Sequence, residues 1–134
     1  MSNYTSNIDI ARQYLIAIAD GETGMEALEF LAPDIVQEEF PNQLVTTGAR
    51  RTMDDLVAAA KRGRKAVSSQ RYDVINAVAD GNTVVLEVNW EGTLAISFGK
   101  LNTGDIMRCR SAMFLEFENG KIKFQRNYDC FEAF

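Results

Sequence analysis

Apolar residues near the start of the chain recur every three or four positions, which is the spacing of an amphipathic helix. The stripe consists of Ile8, Ala11, Leu15 and Ile18. Ser6 or Asn7 can cap the N-terminus of this helix, because a short polar side chain there accepts a hydrogen bond from a free backbone N–H. Gly21 follows the last turn, so we predict that the helix ends there.

Two more helices are predicted in the first half of the chain. The sequence "TGME", in which Thr23 stands three positions before Glu26, has the form of a capping box and begins a short helix that must end before Pro33. Thr52 can cap a third helix, whose first turn carries two aspartates where the helix dipole favours acidic side chains. Before this third helix, "DIVQEEF" at residues 34–40 predicts a strand, followed by a loop or a short strand.

The second half of the chain alternates apolar and polar residues, as β-strands with one buried face do. Strands are predicted at residues 70–79, 83–96 and 106–118 and from residue 121 onward. The sequence "DGN" at residues 80–82 and the pair Asn119-Gly120 are hairpin signals. We therefore predict an α+β fold in a single domain over residues 1–134, with three N-terminal helices packed on a curved, mainly antiparallel β-sheet.

The predicted strand "RCRSAMFLEF" is partly apolar on both faces. One face carries Cys109, Ser111, Met113, Leu115 and Phe117, and the other carries Arg108, Arg110, Ala112, Phe114 and Glu116. A sheet with one solvated face shows a cleaner alternation. We therefore predict that the helices and a pocket cover one face, and that a second copy of the chain covers the other face in a homodimer.

The composition is that of a globular protein, since 46% of the residues are apolar. The net charge of −5 disfavours nucleic acid as a partner, because proteins that bind it need a concentrated positive surface. One basic run, "KRGRK" at residues 61–65, is interpreted as the solvated end of a helix.

The sequence contains no histidine, and this absence narrows the chemistry. It removes Ser-His-Asp and Cys-His catalysis, most zinc and iron sites, and the commonest general base at neutral pH. The sequence also has no dinucleotide-binding or P-loop motif. We therefore expect neither a metal nor a cofactor, and any acid–base chemistry must come from carboxylates, tyrosine or lysine.

The first residues, "MSNYTSN", lack a basic and an apolar segment, so no signal peptide is predicted. No apolar run reaches the length of a membrane span, so no contact with a membrane is expected. The two cysteines, Cys109 and Cys130, then suggest reduced thiols in a cytoplasmic protein.

Three segments carry a resemblance to a known family through their order and spacing. They are "LAPDIVQEEF", "LEVNWEG" and "FENGKI" followed by Tyr128. From Ile8 to Phe131 the chain resembles the nuclear transport factor 2-like superfamily, and within it the SnoaL-like polyketide cyclases and ketosteroid isomerases. The resemblance implies a cone-shaped fold with an apolar pocket between helices and sheet. Members include isomerases, cyclases, hydratases, epoxide hydrolases and non-enzymatic binding proteins, so the fold does not fix the function.

The isomerase-like chemistry that the resemblance implies uses a carboxylate base and donors that hold an enolate oxygen. Tyr14, seven residues before Gly21, matches the family's tyrosine donor. Matching "LAPD" to the family's turn places Glu39 at the position of the base, whereas a register without a gap from Gly21 places Glu38 there. The second donor position falls on Ala112, which cannot donate, so a ketosteroid isomerase with a complete oxyanion hole is not expected.

The same register implies further ligand-binding side chains in the pocket. Phe114 and Arg110 would lie toward it, and an arginine there can hold an anionic group or a carboxylate of the protein. The alternative for Arg110 is a solvated position at the open end of the strand. Trp90 would line the pocket wall beside Leu86 and Val88.

The last predicted strand leaves two interpretations open. By hydrophobicity, Ile122, Phe124 and Tyr128 face the core and Asp129 faces away. By the resemblance, Asn127 and Asp129 line the pocket, and the partner subunit buries the apolar face. An acid in an apolar pocket would have a raised pKa and could act as a general acid or base.

Three functions are compatible with these features. The first is a cofactor-free isomerase, cyclase or hydratase that acts on a small, largely apolar carbonyl compound. Glu39 or Asp129 would then be the base, and Tyr14 or Asn127 would orient the oxygen. The second is a non-catalytic domain that binds a small hydrophobic ligand, and the third is a dimerising scaffold with a vestigial pocket.

Overall fold

The computed structural model describes residues 6–134, which form two α-helices, one 3₁₀-helix and six β-strands. The elements are α1 (Asn7–Asp20), the 3₁₀-helix (Glu26–Phe30), β1 (Leu31–Glu39), β2 (Ala49–Arg51), α2 (Met53–Ala66), β3 (Val67–Asp80), β4 (Thr83–Leu94), β5 (Ile106–Glu118) and β6 (Lys121–Phe131). The signal-peptide prediction concerns residues 1–7, of which residues 1–5 lie outside the described residues. From residue 6 to residue 134, no helix is both long enough and apolar enough to cross a membrane.

The strands form one sheet in the order β2-β1-β6-β5-β4-β3. Neighbouring strands are antiparallel except for β1 and β6, which run parallel. The predicted α+β fold with a mainly antiparallel sheet is therefore confirmed. The predicted turn between β5 and β6 forms with positive φ at both Asn119 and Gly120, as a two-residue hairpin with the twist of the strands requires.

The helices cover one face of the sheet, and the residues between them form the core. α1 begins at Ser6, whose hydroxyl accepts a hydrogen bond from the backbone N–H of Asp9. Ala11, Tyr14 and Leu15 are the buried residues of its inner stripe, and they pack against the inward side chains of β4 and β5. These inward side chains are Val84, Leu86, Val88, Met113, Leu115 and Phe117.

The prediction of three helices needs one correction. α1 and α2 form, and the backbone N–H of Thr52 at the start of α2 donates to the Asp55 carboxylate at 2.9 Å. The segment after Thr23 forms only a five-residue 3₁₀-helix, because β1 already begins at Leu31 and leaves no room for further α-helical turns. The expected contact of Glu26 is still made, since its carboxylate accepts a hydrogen bond from the Thr23 backbone N–H.

β-Bulges in β3 and β6 interrupt the alternation of inward and outward side chains. In β3 the pairing skips Ile75, and Ala77 then packs on the core. In β6 the pairing skips Lys123, so Ile122 is buried in the core while Phe124 turns to the outer face. Each bulge adds one unpaired residue and therefore moves the residues that follow it to the opposite face.

Candidate functional site

A cavity of about 740 Å³ lies between the helices and the inward face of the sheet. Its wall is mainly apolar on the helix side, where Ile18, Leu28 and Leu56 are among the lining residues. Polar side chains line the opposite wall, where the neighbouring strands β2, β1, β6 and β5 lie side by side. The volume suits a small organic molecule, and the two walls differ in chemistry.

Asp129 lies on the polar wall, in the part of β6 that follows the bulge. Its register partner on β5 is Ser111, whose hydroxyl donates to Asp129 Oδ1 at 2.6 Å. Burial raises the pKa of Asp129, and the hydrogen bond from Ser111 offsets only part of that effect. The nearby charge of Glu39 also raises the pKa, while that of Arg51 lowers it. An acid with a raised pKa in a cavity is suited to proton transfer.

Glu39 also lines the polar wall, at the end of β1, but its carboxylate is already bonded. Arg51 Nη1 donates to Glu39 Oε1 at 2.8 Å, and Asn42 Nδ2 donates to Oε2 at 2.8 Å. The side chains of Arg51 and Glu39 are only 18% and 12% exposed. Glu38 points to the other side of the strand, where it lies 3.5 Å from Arg50. The structure therefore places Glu39, rather than Glu38, in the cavity wall.

Tyr14 reaches the polar wall from α1 and begins a chain of hydrogen bonds. Its hydroxyl donates to Gln125 Oε1 at 2.9 Å, and Gln125 Nε2 donates to Asn127 Oδ1 at 2.9 Å. Burial raises the pKa of Tyr14 to about 12, although the hydrogen bond to Gln125 acts in the opposite direction. Tyr14 is therefore a neutral donor, and the half-buried Asn127 ends the chain at the cavity.

Two aromatic side chains form the wall on the side of β3 and β4. Trp90 lines the cavity, and its Nε1–H donates to Gln70 Oε1 at 2.9 Å. Tyr72 lines the cavity as well, and its pKa is raised by burial and, to a smaller extent, by the charges of Tyr14 and Asp129. The indole of Trp90 is thus a fluorescent group placed in the cavity wall.

Phe114 and Arg110 do not line the cavity, so their predicted positions are wrong. Both lie with Ala112 on the outer face of β5, where Arg110 Nε donates to Asn89 Oδ1 at 2.6 Å. A strand buries one alternate set of its side chains, and the set that contains Ser111 is otherwise apolar, whereas the other set contains arginines and a glutamate. The register that the resemblance implies, counted back from "NGKI" at residues 119–122, does not include this restraint. The inward residue next to the expected donor position is Ser111, which carries a hydroxyl.

Leu86 and Val88 face inward on β4 but do not reach the cavity. Both are fully buried in the core that β4 forms with α1. Their predicted place beside Trp90 in the pocket wall is therefore wrong. The reason is that α1 covers this part of β4, and the cavity meets the strand only further along, at Trp90 and Leu94.

Several residues of the polar and aromatic walls have no role in the sequence-based prediction, among them Ser111, Tyr72 and Arg51. Gln125, which links Tyr14 to Asn127 by hydrogen bonds, has none either. A single polar residue on an otherwise apolar strand face is a usable signal, and Ser111 gives that signal. Gln125 faces inward only because of the bulge at Lys123, which the sequence does not announce. Arg51 belongs to a three-residue strand, and its partner is set by the pairing of β1 with β2.

The polar wall combines a carboxylate with an amide on one strand face. Asn127 and Asp129 are two residues apart on β6, which separates their Cα atoms by about 7 Å. Within residues 6–134, no group of three or more histidine, cysteine, aspartate or glutamate side chains is placed to hold a metal ion. The two side chains offer proton transfer and hydrogen bonding to a neighbouring oxygen.

Solved structures with the same fold come from several bacteria. IdmH from Streptomyces antibioticus, a candidate polyketide cyclase, has a TM-score of 0.76 at 20% identity, with 93% of this chain and 92% of that chain covered. An LEH-like epoxide hydrolase from M. tuberculosis has a TM-score of 0.68 at 18% identity, with 94% and 82% covered. A Catenulispora acidiphila protein with a ketosteroid isomerase-like fold has a TM-score of 0.73 at 15% identity, with 90% and 84% covered. At these identities, the likeness shows the fold alone.

No curated protein matches the sequence significantly. The family model of the SnoaL-like domain matches residues 11–125, which run from α1 into β6. The resemblance carried by the three quoted segments is thereby confirmed, and the chain belongs to the SnoaL-like domain family.

Proposed function

We propose that the protein is a cofactor-free enzyme that moves a proton on a small, largely apolar carbonyl compound, as an isomerase, cyclase or hydratase does. The observation that carries the proposal is Asp129, an acid with a raised pKa on the polar wall of a cavity whose opposite wall is apolar. Such a carboxylate is a stronger base than a solvated aspartate. Membership of the SnoaL-like family is compatible with chemistry of this kind, and the proteins that share the fold include an epoxide hydrolase and a candidate polyketide cyclase.

Asp129 is better suited to be the base than Glu39 because one of its carboxylate oxygens is free. Ser111 bonds Asp129 Oδ1, and Oδ2 has no hydrogen-bond partner in the part of the chain that the structure describes. Both oxygens of Glu39 are bonded, one to Arg51 and the other to Asn42. In this proposal, Glu39 and Arg51 form a fixed charged pair that shapes the polar wall.

In the proposed step, Asp129 Oδ2 takes a proton from the carbon next to the carbonyl. The electron pair of the C–H bond forms the C=C bond of an enolate, and the π electrons of the carbonyl move to its oxygen. In this step Asn127, which lines the same cavity, donates an N–H to that oxygen. Asp129 then returns the proton to the same carbon or to a conjugated one, so the step balances without a co-reactant. Tyr14 acts indirectly, since its hydroxyl is bonded to Gln125.

Deuterium exchange tests this proposal directly. 2-Indanone and 2-tetralone carry acidic protons next to a carbonyl, and both are small enough for a cavity of about 740 Å³. In D₂O, proton NMR should show that the wild-type protein exchanges these protons faster than buffer alone, and that Asp129→Asn removes the acceleration. Equal exchange in wild type and variant would refute the role of Asp129.

A non-catalytic binding domain is the second candidate, and the apolar wall on the helix side of the cavity favours it. In that case, both ketones would change the fluorescence of Trp90 without any acceleration of exchange. A scaffold with a vestigial pocket would show neither response.

A further inference from the structure

We propose that Tyr14 and Gln125 fix the direction of the Asn127 amide, so that Asn127 presents N–H donors to the cavity and binds a hydrogen-bond acceptor of the ligand. Tyr14 and Gln125 are positioning residues in this proposal, because they act through Asn127. The class of ligand refines the proposed function and depends on it. The direction of the amide does not depend on the proposed function, because it is inferred from the hydrogen bonds alone.

The hydrogen bonds that link Tyr14, Gln125 and Asn127 determine which end of each amide is free. The Tyr14 hydroxyl donates to Gln125 Oε1, so Gln125 Nε2 faces the next inward residue of β6 and donates to Asn127 Oδ1. The carbonyl of Asn127 is therefore occupied, and its Nδ2 has no acceptor among residues 6–134. A half-buried amide with only its donors free directs them at whatever fills the cavity.

Burial disfavours the reverse direction of the hydrogen bonds that link Tyr14, Gln125 and Asn127. If Gln125 were turned around, its Nε2 would face the Tyr14 oxygen and the hydroxyl proton would lose its acceptor, since Gln125 is the only hydrogen-bond partner of Tyr14 among the described side chains. Tyr14 and Gln125 are 4% and 2% exposed, so solvent does not replace that acceptor. In addition, Glu39 is in register with Asn127, and its carboxylate favours the N–H end of the neighbouring amide.

The direction of the amide selects a class of ligand. A carbonyl, carboxylate or enolate oxygen accepts the free N–H of Asn127, whereas a group that only donates finds no acceptor at Asn127 and can bond only elsewhere, for example at Asp129 Oδ2. The apolar part of such a ligand packs against the helix side of the cavity, near Leu28 and Leu56. In the proposed enzyme, the accepted oxygen belongs to the carbonyl whose neighbouring carbon Asp129 deprotonates.

The first test needs no ligand. In ¹⁵N–¹H NMR spectra of the full chain, the side-chain amide resonances of Asn127 report its hydrogen bonds. Tyr14→Phe removes the hydroxyl that fixes the direction and should shift these resonances, whereas Tyr72→Phe removes a cavity hydroxyl outside the chain of bonds and should leave them in place. Unchanged resonances in Tyr14→Phe would overturn the proposal. Gln125→Met breaks both bonds and gives the same readout if Tyr14→Phe does not fold.

The second test uses two bicyclic probes of similar size. 2-Indanone only accepts hydrogen bonds, and indole only donates them. Because indole can donate to Asp129 Oδ2 in every variant, the readout is the ratio of the two affinities. Amide-shift titrations should show that the preference for 2-indanone over indole falls about fivefold in Tyr14→Phe but not in Tyr72→Phe. The ligand class is wrong if neither probe binds, or if the ratio of the two affinities is the same in Tyr14→Phe as in the wild type.

The outcomes separate this inference from the proposed function. If Tyr14→Phe reduces the preference while the wild type exchanges no protons of 2-indanone, the direction of the amide stands and the enzymatic proposal fails. If exchange depends on Asp129 while the preference survives in Tyr14→Phe, the enzymatic proposal stands and the inference fails.

Discussion

The two faces of the β5–β6 hairpin are built from the same two strands, yet their acidic side chains lie in different environments. On the outer face, Arg126 Nη1 lies 2.6 Å from the Glu116 carboxylate, and both side chains are partly exposed. On the inner face, Asp129 has the Ser111 hydroxyl as its hydrogen-bond donor and is largely removed from solvent. The outer acid therefore has a cationic partner and contact with water, whereas burial raises the pKa of the inner acid.

The faces also differ in what their apolar groups contact. The outer face exposes a cluster in which the Tyr128 ring lies 4.6 Å from that of Phe40 and 5.7 Å from that of Phe114, between ring centroids. Arg126 stacks over the Phe114 ring at 5.5 Å. Aromatic side chains with arginine are typical of the centres of protein interfaces. We therefore expect the inner face to bind a small molecule and the outer face to bind a second copy of the chain.

The largest expected effect is on proton exchange at the inner face. Asp129→Asn should lower the exchange rate of 2-indanone by about 10²- to 10⁴-fold, because it removes the base from the cavity. The matched control is Glu116→Gln on the outer face, which should keep the wild-type rate. A similar loss in both variants, measured by proton NMR, would show that the two faces do not differ in this way.

The second effect is on stability. Leu115 is fully buried on the inner face, so Leu115→Ala should lower the free energy of unfolding by about 2–5 kcal/mol. Its neighbour Phe114 is half-buried on the outer face, so Phe114→Ala should cost less, although more side-chain atoms are removed. Urea denaturation at low protein concentration measures both values. An equal loss at the two positions would contradict the assignment of the faces.

The third effect is on self-association. The wild type should be a dimer at micromolar concentration, and Tyr128→Lys should weaken the dimer by about 2 kcal/mol, roughly 30-fold in Kd. The control is Asn82→Lys, which introduces a lysine in the exposed turn between β3 and β4 and should leave the dimer intact. Light scattering coupled to size-exclusion chromatography over a range of concentrations measures the effect. A monomeric wild type would remove the expected role of the outer face.

Much of this arrangement follows from local sequence signals. The alternation in β5 predicts the strand with the bounds that the structure has, Ile106–Glu118, and the Asn119-Gly120 turn fixes the hairpin that follows. Thr52 marks the start of α2. Such signals are readable because propensity, capping and turn geometry act over only a few neighbouring residues.

The composition of the polar wall was less predictable, because it depends on non-local geometry. The bulge at Lys123 reverses the face of every residue after it, so Ile122 and Asp129 both point inward although simple alternation separates them. The pairing of Arg51 with Glu39 depends on how β2 docks on β1. Neither feature has a local signature, since a bulge is stabilised by the packing around it and an ion pair across strands by their register.

The smallest expected effect is on the pH dependence of stability, and its sign follows from the raised pKa of Asp129. The pKa of aspartate in an unfolded chain is about 4. Well below that pH, the Asp129 carboxyl group is protonated in both the folded and the unfolded state, so it does not affect the stability. As the pH rises, the unfolded chain releases this proton first, so wild-type stability falls until the pH passes the folded pKa. Asp129→Asn lacks this loss and should melt at a higher temperature than wild type at pH 8, with a difference that shrinks toward pH 4.

The same melting experiments on Glu116→Gln complete the comparison of the two faces. This variant removes the partner of Arg126 on the outer face, so it should gain no stability at pH 8. If Asp129→Asn also gained none, Asp129 would ionise in the folded protein as easily as in the unfolded chain. Its carboxylate would then be no stronger a base than a solvated aspartate, and the cavity would lose the property on which the proposed proton transfer depends.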